Sequence, residues 1–308
     1  MDKGARMRRK LVKQGRNALT MTLPSEWVDK QNLKPGDEVF VEERKEGLLV
    51  SGDKIKEGNR KTIDVSGLEP MIKRVLGAIY KAGYDEVEVR FGNAKEFEDA
   101  QEVIREEFIG FETIHHGKDS LVFKKISSIE PKEFNTMMRR MFLIIKSMAD
   151  DSPIAMKKKD PDLLKMIILR DKDVNKIADF CRRSLNSSGH MIEGRTAPLY
   201  FITEQLEKIG DILKEICGHM ISNPGSANEG ILSFFSDVNA FFEDFYGLYF
   251  SLDLKKMAEF GRKRKILIEK SENLLESSSK KEVRIVFYLR EMLNSTFDMN
   301  GSLMAARL

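Results

Sequence analysis

Seven basic residues, Lys3, Arg6, Arg8, Arg9, Lys10, Lys13 and Arg16, face a single acid, Asp2, across the first sixteen positions of the chain. A local run of guanidinium and ammonium groups raises the potential around it and attracts phosphates. The rest of the chain offers little for catalysis. His115, His116, His190 and His219 are scattered, which argues against a zinc centre or a His-based mechanism. His115-His116, beside Gly117, reads as a solvent-exposed pair at a hairpin turn. Cys181 and Cys217 lie inside apolar helical patterns without metal-ligand spacing, and read as buried thiols in a reducing compartment. Arg90-Phe91-Gly92-Asn93 lacks the glycine spacing of a phosphate-cradling loop. No nucleophile, base and orienting group share one constellation, so the sequence does not read as an enzyme.

The basic arm leads into a β-rich segment. Leu19, Met21 and Leu23 alternate with Ala18, Thr20 and Thr22, the period of a half-buried strand. Leu23-Pro24-Ser25 stops the strand, and Ser25 is expected to cap a short helix reaching Gln31. Lys34-Pro35-Gly36-Asp37 has turn chemistry. Residues 38–43 and 47–50 then predict a hairpin. Four short strands in about fifty residues cannot bury much surface alone, so this unit is expected to dimerise.

Residues 53–60 are polar and loop-like. Beyond them the pattern predicts a small α/β region: strand 61–65, helix 68–82 ended by Gly83, strand 86–91, helix 94–108 and hairpin 111–126. From Pro131 onward the apolar spacing is helical, with Phe134, Met137, Met138, Met141, Ile144, Ile145 and Met148 as the first stripe. Further stripes over 163–185, 199–221, 231–250, 252–275 and 283–303 make six helices, with loops expected at 150–160, 186–195, 222–228 and 277–280. Three long helices, a loop and three more suggest an internal duplication. The fold class is therefore multidomain α+β, divided as 1–52, 53–127 and 128–308.

With 41% hydrophobic residues the 308-residue chain can fill such cores, and 33% charged residues can cover them. No apolar run approaches the roughly 20 residues of a membrane span, and the basic start leads into no apolar signal core. The expectation is a cytoplasmic protein without membrane insertion.

The stretch from Arg9 to Val28, with its basic strand, Gly15-Arg16 step and Leu23-Pro24 helix start, followed by Leu33-Lys34-Pro35-Gly36-Asp37, resembles the AbrB/SpoVT/MazE swapped-hairpin DNA-binding family. The resemblance covers about a sixth of the chain. It implies an intertwined homodimer that presents basic residues to double-stranded DNA, with Arg9, Lys13 and Arg16 as contacts and Arg8 and Lys10 in support. Trp27 is expected in the dimer core. Asn17-Ala18 departs from the small hydrophobic pair of many members.

Leu206-Glu207-Lys208-Ile209-Gly210-Asp211-Ile212 resembles the Glu-Arg-Ile-Gly-Asp segment of PhoU-type phosphate-uptake regulators, and residues 169–177 look like the partner segment of the same three-helix repeat. The combination with the N-terminal domain is similar to archaeal PhoU-like regulators. The resemblance implies a PhoU-like all-α bundle of two repeats, and a metal cluster held by acid pairs spaced i, i+4, one turn apart on one helix face. Here the set is Asp171, Asn175, Glu207 and Asp211, with Mg, Mn or Fe as the cation class favoured by oxygen ligands. Asn175 stands where an acid is expected, and in the second repeat the corresponding places are basic (Gly261 to Ile266) or mixed (Tyr288 to Asn294). The bland alternative is a salt-bridged face using Lys208, Lys214 or Arg182. The expected function is a DNA-binding transcriptional regulator of phosphate uptake or a related nutrient response. The alternative is a PhoU-type adaptor that binds a phosphate transporter or sensor kinase without touching DNA. A di-metal enzyme is disfavoured because no Glu-x-x-His occurs at Glu207 or Asp171.

Overall fold

The computed structural model describes residues 8–15, 18–44, 47–52, 59–127, 132–188 and 195–308. The chain divides into two compact units, Met1–Gly58 and Asn59–Leu308.

In the first unit β1 (Val12–Gln14) pairs antiparallel with β2 (Ala18–Thr20), Lys13 opposite Leu19. Gly15, at φ +69°, opens the reversal between them. Helix α1 (Ser25–Lys30) follows, but Ser25 is its first helical residue rather than its cap. Pro24 holds the cap position and has no side-chain acceptor to offer, so the expected hydroxyl cap is not made. The turn at 34–37 forms as its residue types require: Asp37 Oδ2 accepts from the Lys34 amide at 2.6 Å, and Gly36 sits at φ +99°. Strands β3 (Val39–Arg44) and β4 (Gly47–Gly52) close a second hairpin, Val41 opposite Val50. The two hairpins form separate two-stranded sheets among the described residues. No residue of α1 is buried, and Trp27 is half-buried. Leu11, Leu19, Phe40, Val41 and Leu48 are 64, 64, 51, 58 and 63% exposed.

The second unit begins with β5 (Arg60–Asp64), α2 (Ile72–Lys81), β6 (Glu86–Arg90), α3 (Ala94–Glu107), β7 (Phe111–His116) and β8 (Ser120–Lys125). The sheet order is β5-β6-β8-β7, with β5 and β6 parallel and the other pairings antiparallel. Helix α2 starts four residues later than the pattern predicts. Pro70 disfavours helical backbone at Glu69, and the residues before the helix form turns instead, Leu68 N–H donating to Val65 O and Met71 N–H to Leu68 O. Val87, Val89, Leu121 and Phe123 face Leu76, Tyr80, Val103 and Ile104 in a closed core. His115 and His116 are exposed on β7.

Helices α4 (Lys132–Lys158), α5 (Pro161–Ser188), α6 (Thr196–Ser222), α7 (Glu229–Phe250), α8 (Leu254–Ser277) and α9 (Lys280–Arg307) form the bundle. The loop expected at 150–160 is helical as far as Lys158, and Pro153 lies inside α4. Proline cannot donate to the carbonyl four residues back, and that orphaned carbonyl normally breaks a helix. Here Ala149 O accepts instead from Asn239 Nδ2 on α7, at 2.6 Å. Caps mark the later helix starts: Asn228 accepts from the Ile231 amide, Asp253 from Lys255 and Lys256, and Ser279 with Glu282 forms a capping box. Inside, Phe142 lies 5.1 Å from Tyr249, and Phe241 stacks on Phe260 at 4.0 Å between ring centres. Among the described residues no helix is long and apolar enough to cross a membrane.

Several side chains of α5 bind the α/β region to the bundle, among them Asp179, Asn186 and above all Arg183. Arg183 of α5 is 3% exposed. Its Nη1 donates to the carbonyls of Tyr80 and Tyr84, both at 2.8 Å, and its Nη2 to Asp85 Oδ1 at 2.6 Å. The guanidinium also lies 4.6 Å from the centre of the Phe111 ring. Gly83, at φ +95°, lets this turn lie against α5; an added Cβ there would come 3.3 Å from Ser187 Cβ.

Candidate functional site

Two places hold the residues singled out from the sequence. The first is the basic arm. Arg8, Arg9 and Lys10 are exposed ahead of β1, outside regular secondary structure, and Lys13 is exposed within it. Lys13 and Leu19 are cross-strand neighbours, so one hairpin carries both a cation and an uncovered apolar side chain. Arg16 lies outside the described residues.

The second is the face between α5 and α6. Asp171 and Asn175 lie one turn apart on α5, Glu207 and Asp211 one turn apart on α6, as i, i+4 spacing requires. Gly210 permits the approach of the two helices: a Cβ there would come 3.1 Å from Val174 Cγ1 and 3.4 Å from Asp171 Oδ1. Asp171 is 4% exposed. Its Oδ2 accepts from Lys214 Nζ at 2.7 Å and from Asn175 Nδ2 at 3.2 Å. Lys214 Nζ also donates to Asp211 Oδ1. Burial pushes the Asp171 carboxyl up from its ordinary range against the pull of Lys214. For Lys214 burial disfavours the charge, yet the hydrogen bonds to Asp171 and Asp211 outweigh it and its pKa is raised.

Glu207 belongs to a neighbouring cluster. Its Oε2 lies 3.3 Å from Arg182 Nη2, while Arg182 Nη1 donates to Asp179 at 2.7 Å and Nε lies 2.5 Å from Glu204. Arg182 is 4% exposed, so its charge is compensated almost wholly by protein. Burial pushes the Glu207 carboxyl up, and Arg182 opposes it.

The four residues expected to share a metal are thus brought to one helix pair but divided between two cations of the protein itself. Among the described residues no three or more His, Cys, Asp or Glu side chains are grouped to hold a metal. Two oxygens keep the character of ligand positions, since Asp171 Oδ1 and Asn175 Oδ1 are buried without a hydrogen-bond partner. The ammonium nevertheless lies between the two aspartates, so this donor set does not fit a divalent ion while Lys214 is in place. In the second repeat Arg264 bonds Asn294 Oδ1 at 3.2 Å and lies 4.5 Å from the Phe297 ring centre. Lys214 was visible in the sequence three residues after Asp211. Arg183 was not, because its partners are main-chain carbonyls about a hundred positions away.

Residues 12–59 match the family model for the MazE bacterial antitoxin that serves antidote-toxin recognition, and residues 138–220 match the PhoU domain. Among solved structures, the phosphate transport system regulatory protein PhoU from Streptococcus pneumoniae is similar at 13% identity and a TM-score of 0.46, covering 56% of this chain and 93% of its own. PhoU from Pseudomonas aeruginosa is similar at 12% identity and a TM-score of 0.46, covering 56% and 94%. A search of curated proteins finds no match. The comparisons do not show an archaeal origin. The chain therefore joins an AbrB/MazE-like domain to a PhoU-like helical bundle, and both matched families are regulatory.

Proposed function

We propose that the chain is a DNA-binding regulator, not an enzyme, in which paired N-terminal units grip double-stranded DNA and the PhoU-like bundle supplies a signal tied to phosphate. The observation that carries this reading is the state of the first unit. Leu11, Leu19, Phe40, Val41 and Leu48 are left more than half exposed, and Lys13 is exposed on the same hairpin as Leu19. A second copy covers such a surface by an isologous contact, which sets two basic arms on one side of a two-fold layer. Arms placed that way straddle phosphates and reach groove edges.

The test is DNA binding by the full chain with Arg9, Lys13 and Arg16 replaced by Ala. Affinity should fall by about 1–3 kcal/mol for each base-reading side chain, and the slope of log affinity against log salt should shrink by roughly one for each phosphate no longer neutralised. The bundle should melt as before. Unchanged affinity and slope in the triple variant refute DNA reading through this arm, and leave the adaptor that binds a transporter or sensor kinase.

A further inference from the structure

We propose that Lys214 occupies the place of a divalent cation, so that the α5–α6 face is neutralised from within and folds without metal, and that removing its ammonium turns the same oxygens into a divalent-cation site. The charge pattern supports this. Asp171 and Asp211 share one ammonium; Asn175 adds no third negative charge, so Lys214 balances the buried Asp171 while Asp211, nearly half exposed, is also served by solvent. The geometry is that of a hydrogen-bonded ammonium: Nζ lies 2.7 Å from Asp171 Oδ2, longer than the about 2.1 Å of a magnesium–oxygen bond, so an ion in its place draws the oxygens inward. Two further buried oxygens, Asp171 Oδ1 and Asn175 Oδ1, already lack partners. Gly210 lets α6 pack close over Asp171, whose Oδ1 would lie 3.4 Å from a Cβ placed there.

The same feature separates this chain from an ordinary salt-bridged surface. An exposed pair shows little response when one partner is deleted, because the interaction is weak from the start. Here deletion of Lys214 leaves the Asp171 carboxyl, 4% exposed in the intact protein, without its cation, a state that protonation or a hard divalent ion relieves.

Melting curves and titration calorimetry of the full chain with MnCl2 or MgCl2 decide it. Millimolar metal should leave the wild-type melting temperature unmoved and give no binding heat. Lys214→Ala should melt lower than wild type, and the metal should restore roughly 5 °C by mass action on the folded state. Asn175→Asp added to Lys214→Ala should bind the metal at least tenfold more tightly than Lys214→Ala. Asp171→Asn with Lys214→Ala should melt higher than Lys214→Ala in buffer and ignore metal. Should Lys214→Ala fail to fold, the Asp171→Asn/Lys214→Ala chain decides: cooperative folding supports the proposal and its failure overturns it. Wild-type protein stabilised by millimolar Mn, or a folded Lys214→Ala indifferent to it, also overturns the proposal.

Discussion

The two compact units treat their apolar residues in opposite ways. In Asn59–Leu308, Phe142, Phe180, Phe234, Phe235, Phe241, Phe242 and Phe245 are buried within a few per cent of completely, and charges drawn inside meet partners from the same chain. In Met1–Gly58 the strands also carry apolar residues, yet Leu11, Leu19, Phe40 and Leu48 stay largely open. The second unit is finished by its own sequence, down to the asparagine that serves the carbonyl Pro153 abandons. On the proposed reading the first is one half of an assembly. Alternation reports that a strand face wants cover, and does not report whether one chain or two supplies it.

The largest effect should come from breaking the first unit's surface. Phe40→Lys with Leu48→Lys in the full chain places a charge on each protomer's contact face, twice over in a two-fold dimer. Each apolar side chain buried at such a contact is worth roughly 1.5–3 kcal/mol, so the paired N-terminal units should separate. DNA affinity should drop to the level of the arm-deficient triple variant, while the main melting transition of the second unit stays in place. A double variant that keeps the wild-type sedimentation mass and DNA affinity would show that this face is not the dimer contact.

Within the finished unit, Arg183 offers the next effect. Arg183→Ala takes the side-chain donor from the Tyr84 carbonyl and the Asp85 carboxylate, and one of two donors from the Tyr80 carbonyl, which keeps the Gly83 amide. Denaturant unfolding should register a loss of about 2–4 kcal/mol, the range for buried groups deprived of a charged partner. Arg183→Lys should recover only part, because one ammonium cannot span the carbonyls and Asp85 while lying flat on Phe111. Full recovery by lysine would mean that charge alone holds the α/β region to the bundle.

The sequence made most of this architecture readable, for physical reasons that differ by place. Helical stripes identified all six bundle helices because each buries one face along its whole length. The basic arm and the i, i+4 acid positions were legible because spacing on one strand or one helix is a local property. In two places a distant residue decides what local spacing leaves open. Pro153 predicts a break, and only Asn239 of α7 removes the reason for one. Glu207 and Asp211 share a helix face, but Arg182 of α5 draws the first away from the second's partner. Pro70 worked the other way, delaying α2 through a local rule that the apolar stripe had masked.

The smallest effect tests whether the finished unit is also closed at the ends of its parallel strands. Glu96 is 2% exposed, and its two oxygens accept from the amides of Gly67, after β5, and Gly92, after β6, each at 2.7 Å. The amide of Gly67 first, then that of Gly92, holds its carboxyl below the ordinary 4.5. A carboxylate whose folded-state pKa is depressed adds stability above its unfolded value, and that stability is lost as pH falls through the folded-state value. Glu96→Gln keeps the shape but offers one acceptor where two are needed, and turns an NH2 donor toward an amide donor. The variant should therefore melt below wild type at neutral pH, with the gap narrowing as the pH is taken below 4.5. A gap of the same size at neutral and acid pH would mean that packing, and not the charged bridge between the two loops, is what Glu96 contributes.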